Sequence, residues 1–304
     1  MSGRTGGLPQ VGLRSGALLA ATFALGVVAF GWPFLASRSA SDPPGPARTG
    51  GTGSGTGGTA SVSSGSHAAD AVWFLAGITL LVLAMVLTAL LDGSTDLKAV
   101  ALLGVLAAAG AALRPLGAGA AGIEPMFVVL ILGGRILGPL MGFALGSTAM
   151  FASSLLVAGV GPWLPFQMLA AAWVAAGAGM LPGRVRGRGE TALLAGYALL
   201  AGLGFGAVMN LWFWPFSTTA SLPFSYRPDG GLAENLHRYA AFYLATSLGW
   251  DLPRGLLNAT LVVLAGPRIA SALRRAVRRA AFDVPVRFEP ATPAPGAGPA
   301  AKGA

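Results

Sequence analysis

Asp251, Arg254 and Asn258 lie three and four residues apart inside an apolar run, a spacing that puts all three on one face of a helix. Other polar residues interrupt apolar stretches elsewhere. Arg114 and Glu124 bracket one short loop, Gln167 follows a Gly-Pro-Trp turn, and Asn210 lies near the end of a long apolar run. Polar groups at membrane depth are costly and tend to mark a pathway or a binding site. Each also has a structural alternative, an interhelical hydrogen bond or an ion pair such as Asp251 with Arg254 at i, i+3. Because they fall at the outward ends of neighbouring predicted helices, a shared outward-facing pocket is expected from Arg114, Glu124, Gln167, Asn210, Asp251 and Asn258. Trp163, Trp212, Trp214, Trp250, Tyr226 and Tyr243 gather near the same side. They form either an aromatic belt at the lipid interface or an apolar wall for a vitamin-sized ring system. Trp163, Trp212, Trp214 and Tyr243 join the expected substrate-binding set on the second reading.

Catalytic chemistry has no foothold in these residues, and no catalytic residue, cofactor or metal ligand set is expected. Neither Lys98 nor Lys302 follows a glycine, so no Walker A loop cradles a phosphate. His67 and His237 stand alone, no Gly-x-Ser-x-Gly elbow occurs, and cysteine is absent. Gly202, Gly204 and Gly206 lie mid-span at the wrong spacing for a nucleotide loop, and helix packing explains them better.

The elements that must position these side chains are membrane helices. Hydrophobic residues make up 54% of the 304 positions and charged residues 10%, with a mean hydropathy of +0.68. Soluble domains carry about 25% charged residues, so the surplus apolar surface needs lipid. The net charge of +9 comes almost wholly from arginine, clustered between apolar runs and at 268–279 with no aromatic-interleaved basic face. That pattern argues against nucleic-acid binding.

Spans are expected at 15–36, 71–91, 97–113, 126–132 (short, broken or re-entrant, closed by Gly133-Gly134-Arg135), 136–160, 163–181, 191–212 and 239–265. Residues 15–36 fit either a signal peptide or a retained helix, and the retained helix is adopted. Residues 37–70 form a Gly/Ser/Pro-rich extracytoplasmic linker. A loop of about 25 residues is expected before the last span, and a basic, then disordered tail after it. The parts are therefore 1–36, the linker 37–70, a second span within 71–96, a six-helix core at 97–266 and a tail at 267–304. With the N-terminus inside, only Arg38, Arg48, Arg114, Arg227, Arg238 and Arg254 of the 20 lysines and arginines fall elsewhere than in cytoplasmic segments. Both termini are accordingly placed in the cytoplasm of a multi-pass cell-membrane protein.

Gly104, Ala108 and Ala112 recur every fourth residue in the third span. Small residues at this spacing let another helix approach closely, either within this chain or from a second membrane subunit.

The stretch Gly133-Gly134-Arg135-Ile136-Leu137-Gly138-Pro139, the run Gly159-Val160-Gly161-Pro162-Trp163-Leu164-Pro165-Phe166-Gln167-Met168, and Gly179-Met180-Leu181-Pro182 resemble the substrate-specific S components of energy-coupling factor (ECF) importers. The resemblance covers about 97–265 and is closest to cobalamin-type and actinobacterial members. It implies a six-helix all-α core with cytoplasmic termini and a pocket roofed by the outward loops. It also implies a transmembrane coupling (T) subunit docked on Gly104, Ala108 and Ala112, two partner ATPases, and a vitamin or related micronutrient as substrate. Cobalamin has a slight preference, since no motif names the vitamin. The chain departs from the minimal family by its two extra N-terminal spans and linker. Two rivals are a stand-alone ion-coupled transporter, with protons carried by Glu124 or Asp251, and a noncatalytic membrane scaffold.

Overall fold

The computed structural model describes residues 13–35, 73, 75–85, 87–88, 97–117, 122–157, 160–216 and 222–280. The expected linker at 37–70 and the end of the tail lie outside these residues. Among the described residues the chain is all α-helical: α1 Leu13–Leu35, α2 Leu75–Met85, α3 Leu97–Leu113, α4 Met126–Leu137, α5 Pro139–Val157, α6 Leu164–Met180, α7 Arg188–Phe213, α8 Leu232–Thr246, α9 Leu248–Leu264 and α10 Gly266–Ala280. Three stretches, Ala99–Gly117, Pro139–Val157 and Arg188–Phe216, are long and apolar enough to cross a bilayer alone. The pair α9 and α10 also qualifies when taken together, bent by 66° at its break.

Two boundaries differ from the sequence expectation for steric reasons. Gly133 and Gly134 do not end the short fourth helix but lie buried inside it. A Cβ on Gly134 would stand 1.9 Å from the carbonyl oxygen of Ala175 in α6, so glycine here serves helix contact rather than termination. The chain breaks four residues later, at Gly138, where φ is +85°, a conformation that side chains disfavour. At 12 residues, α4 rises only about 18 Å, well short of the roughly 30 Å hydrocarbon layer. The expected last span, 239–265, is also divided. Helix α8 starts earlier, at Leu232, and ends at Thr246; Ser247 separates it from α9. The supposed loop before that span is therefore partly helical. Likewise the basic tail begins as a helix, α10.

The core is built on close backbone approach. Helix α5 packs along α6, and α7 along α9. Cβ atoms on Gly142 and Gly146 of α5 would stand 2.8 and 2.3 Å from the carbonyl oxygens of Ala175 and Ala171 in α6. On the other pair, a Cβ on Gly202 would stand 2.6 Å from the Gly255 Cα, and one on Gly206 would strike the Asp251 carboxylate. The packing role expected of the 202–206 glycines thus holds for Gly202 and Gly206, whereas Gly204 faces open space.

Helix α1 joins the bundle along α6, α7 and α8. Its Gly26 leaves room for the Trp173 ring, which a Cβ would meet at 1.8 Å. Phe30 packs edge-on to Phe166 at 5.6 Å and against Trp173 at 5.9 Å. The Tyr226 hydroxyl donates to the Pro33 carbonyl at 3.1 Å. In α2, Ile78 and Met85 are buried against the same core.

The two ends of the bundle differ in chemistry. One carries the turns 114–117, 122–125 and 160–163 and the segments 214–216 and 222–231, and is called the loop end. The other, the arginine end, carries Arg135, Arg184, Arg186, Arg188, Arg268, Arg274 and Arg275. There Glu190 in the first turn of α7 accepts from Arg135 Nε at 2.9 Å. Arg274 of α10 donates to both Glu190 oxygens, at 2.6 and 2.7 Å. Arg135 also donates to the carbonyls of Leu181 and Pro182 at 2.7 and 3.0 Å. This one cluster fastens α4, α6, α7 and α10 together.

Glycine substitutions should separate packing from propensity. Gly134→Ala is expected to cost about 1–3 kcal/mol by overpacking. Gly196→Ala meets nothing within 4 Å and should be neutral or stabilise by about 0.5–1 kcal/mol. Thermal melting of the purified variants in detergent checks both signs.

Candidate functional site

The side chains that the sequence put in one pocket fall into three neighbouring groups at the loop end. The first centres on Arg254 of α9. Its Nε donates to Glu124 Oε2 at 2.5 Å and its Nη1 to Asp251 Oδ1 and more weakly to the Gly202 carbonyl at 3.5 Å. Its guanidinium carbon stands 6.0 Å from the Phe127 ring centre and 5.4 Å from that of Phe205, within cation–π range. Asn258, one turn further along α9, donates to the Glu124 carbonyl at 3.0 Å and to the Arg254 carbonyl at 2.9 Å. The face predicted for Asp251, Arg254 and Asn258 is therefore real, and it is turned toward α7 and the 122–125 turn. The side chains of Arg254 and Asp251 are 11% and 4% exposed. Gly122 lets the turn come this close: its φ is +75°, and a Cβ there would stand 1.9 Å from the Trp250 carbonyl oxygen.

The second group surrounds Arg114, in the turn after α3. Its Nη1 donates to Ser153 Oγ at 2.9 Å and lies 3.1 Å from Met150 Sδ. Its Nη2 donates to Gln167 Oε1 at 3.4 Å. The turn after α3 is thereby joined to α5 and α6. Two cations, Arg114 and Arg254, thus face two anions, Glu124 and Asp251, at one end of the bundle. Tyr243 of α8 donates to the Leu203 carbonyl of α7 at 3.2 Å. The half-buried Asn210 has an amide nitrogen with no hydrogen-bond partner.

The third group is aromatic and does not line the polar cluster. Trp214 is fully buried. It packs against Tyr239 at 5.2 Å, Tyr226 at 5.3 Å and Phe34 at 6.0 Å, and its indole N–H donates to the Phe224 carbonyl at 2.9 Å. Trp214 therefore pins the end of α1 to the segment before α8. Trp212 packs on Phe166 at 5.7 Å. Trp163 is 36% exposed and folds over Gly161, where a Cβ would meet its ring at 2.4 Å.

Several residues of this end escaped the sequence reading. Ser153 and Met150 hold Arg114; Phe127 and Phe205 flank Arg254. Asn235 is fully buried and fixes the segment before α8: it accepts from the Arg227 N–H at 3.1 Å and donates to the carbonyls of Arg227 and Gly230 at 2.8 and 3.1 Å. No group of His, Cys, Asp and Glu able to hold a metal ion occurs among the described residues.

An all-helical bundle with several membrane-length apolar helices and a polar cluster at one end is a multi-pass membrane protein. Residues 98–266 match the family described as "ECF transporter, substrate-specific component". The match spans more than half of the chain, which belongs to this family and is thus a substrate-specific subunit of an ECF transporter. No curated protein and no solved structure matches the chain.

Replacing Arg254 with leucine leaves Asp251 buried without its cation, and should cost about 3–5 kcal/mol. The double variant Arg254→Leu/Asp251→Leu should recover part of that loss, because Glu124 still lacks its cation. A double-mutant cycle on melting temperatures measures the coupling; additive losses would show that the pair does not interact.

Proposed function

We propose that this chain captures a vitamin or related micronutrient outside the cell and delivers it through a coupling subunit driven by two partner ATPases. It lies in the cell membrane with both termini in the cytoplasm and has no catalytic activity of its own. Helix α1 is retained as a member of the bundle. The core at 97–266, in which the expected last span is divided into α8 and α9, binds the substrate, and the loop end faces outward.

The exposed small-residue face of α3 carries this reading. Leu103, Leu106, Ala107, Gly110 and Ala111 are buried in the core, whereas Gly104, Ala108 and Ala112 are exposed on the opposite side. A Cβ on Gly104 would meet nothing within 4 Å. Among the described residues, this ridge is left exposed. In lipid, such a surface lets the backbone of another helix approach closely, which suits the coupling subunit.

Substrate recognition falls to Arg114, Glu124, Gln167, Asn210, Asp251 and Asn258, with Trp163, Trp212, Trp214 and Tyr243 as aromatic neighbours. Both guanidinium groups and both carboxylates are now engaged with one another or with neighbouring side chains. A ligand entering between the 122–125 turn and α9 would exchange these internal bonds for its own, so that little polar surface is left without a partner. Trp214, sealed in the aromatic group, acts on the site by holding the segment before α8. Among vitamins, cobalamin keeps its slight preference.

The triple variant Gly104→Leu/Ala108→Leu/Ala112→Leu tests the docking face. Its melting temperature should match that of the wild type, because the ridge faces open space. Copurification with the coupling subunit and uptake of the substrate should fall at least tenfold, equivalent to about 1.4 kcal/mol. Undiminished copurification would contradict the assignment, and loss of folding would place the ridge inside the chain.

A further inference from the structure

At the arginine end, away from both the pocket and the docking ridge, a cleft of about 350 Å³ opens between the start of α7, the end of α9 and α10. Its walls are of two kinds. Arg188, Arg274 and Thr191 supply polar groups, and Leu194, Val262 and Pro267 are among the apolar ones. Glu190 also lines it, but its carboxylate is already shared between Arg135 and Arg274. With Arg135 included, three guanidinium groups stand against one carboxylate, so the cleft has a surplus of positive charge.

The surrounding surface has the same double character. The chain turns by 66° between α9 and α10. On α10, Ala270 is buried and Leu273 packs against the core, while Arg268 and Arg275 are exposed. Arg184 and Arg186 add exposed charge before α7. Beside the cleft, Val263, Leu264 and Ile269 are 53%, 68% and 37% exposed. A helix with a basic face and an apolar face, set at an angle to the spans, belongs at the boundary between headgroups and acyl chains.

We propose that this cleft binds an anionic phospholipid, with its phosphate on Arg188 and Arg274 and the start of an acyl chain along Leu194 and Val262. Charge complementarity selects the headgroup, because basic residues on an interfacial helix attract anionic lipid. The apolar lining of the cleft, with exposed Val263 and Leu264 following Val262 in α9, selects a lipid over a free phosphate. The bound lipid holds α10 across the ends of α3 and α4, which it already contacts.

Native mass spectrometry of the full chain in detergent, titrated with dioleoyl phosphatidylglycerol or dioleoyl phosphatidylcholine, tests this site. Phosphatidylglycerol should bind at least tenfold more tightly. Arg188→Gln should weaken it by about fivefold and Arg188→Gln/Arg274→Gln by more, at roughly fivefold per arginine, whereas Arg227→Gln at the opposite end should change nothing. Arg188 is exposed, so its single variant keeps the test valid should the double variant fail to fold. Equal binding of the two lipids, an equal loss in Arg227→Gln, or displacement by millimolar inorganic phosphate would overturn the proposal.

Discussion

Lipid gives no hydrophobic reason for one apolar helix to prefer another, so this bundle depends on how closely its backbones approach. The constraint is concentrated on α6. Gly134 of α4 and Gly142 of α5 both press on the Ala175 carbonyl, Gly146 of α5 presses on Ala171, and Gly179 of α6 meets the Gly138–Pro139 peptide. Short α4 is held because α6 and α5 grip it on two sides. The same logic recurs between α7 and α9 at Gly202, Gly206 and Gly255. Dispersion over these close contacts fixes the helices that carry every polar group of the loop end.

Once those helices are fixed, buried charge becomes affordable only in pairs. Arg254 and Asp251 share α9, and Glu124 reaches them from the 122–125 turn. An unpaired member at this depth would be heavily penalised, so the turn and the helix hold each other in register. At the arginine end, Glu190 does the equivalent for Arg135 and Arg274. The two ends therefore use opposite forms of one device: at the loop end Arg254 is shared between two carboxylates, and at the arginine end Glu190 is shared between two guanidinium groups. At the loop end the pairs join the 122–125 turn to α9, where we propose the ligand enters; at the arginine end they fasten α10 to α4 and α7.

Much of this was legible in the sequence. The membrane class, the helical face of Asp251, Arg254 and Asn258, and the polar character of Arg114, Glu124 and Gln167 followed from composition and spacing. The small-residue period of α3 was visible too, though not whether it faced in or out. Other features required the fold. Gly133 and Gly134 look like a helix end, because propensity takes no account of the Leu145 side chain beside Gly133 or of the Ala175 backbone that only a glycine at 134 can meet. Ser247 does not announce a break between α8 and α9. Trp214 resembles a pocket wall in sequence, yet its indole is satisfied by Phe224 and its ring is enclosed by residues far apart in the chain. Arg135 reads as one more positive charge, and only Glu190, far along the chain, makes it a hub.

Recognition of a small molecule at the loop end, as we propose, is tested by mass spectrometry and absorbance of whatever copurifies with the detergent-solubilised protein. A melting scan with the identified compound then completes the test. A tightly held vitamin or corrinoid should be found that raises the melting temperature of the wild type and does so less for Glu124→Gln. A protein that carries no such compound, and whose melting is unmoved by a panel of vitamins, would contradict the proposal.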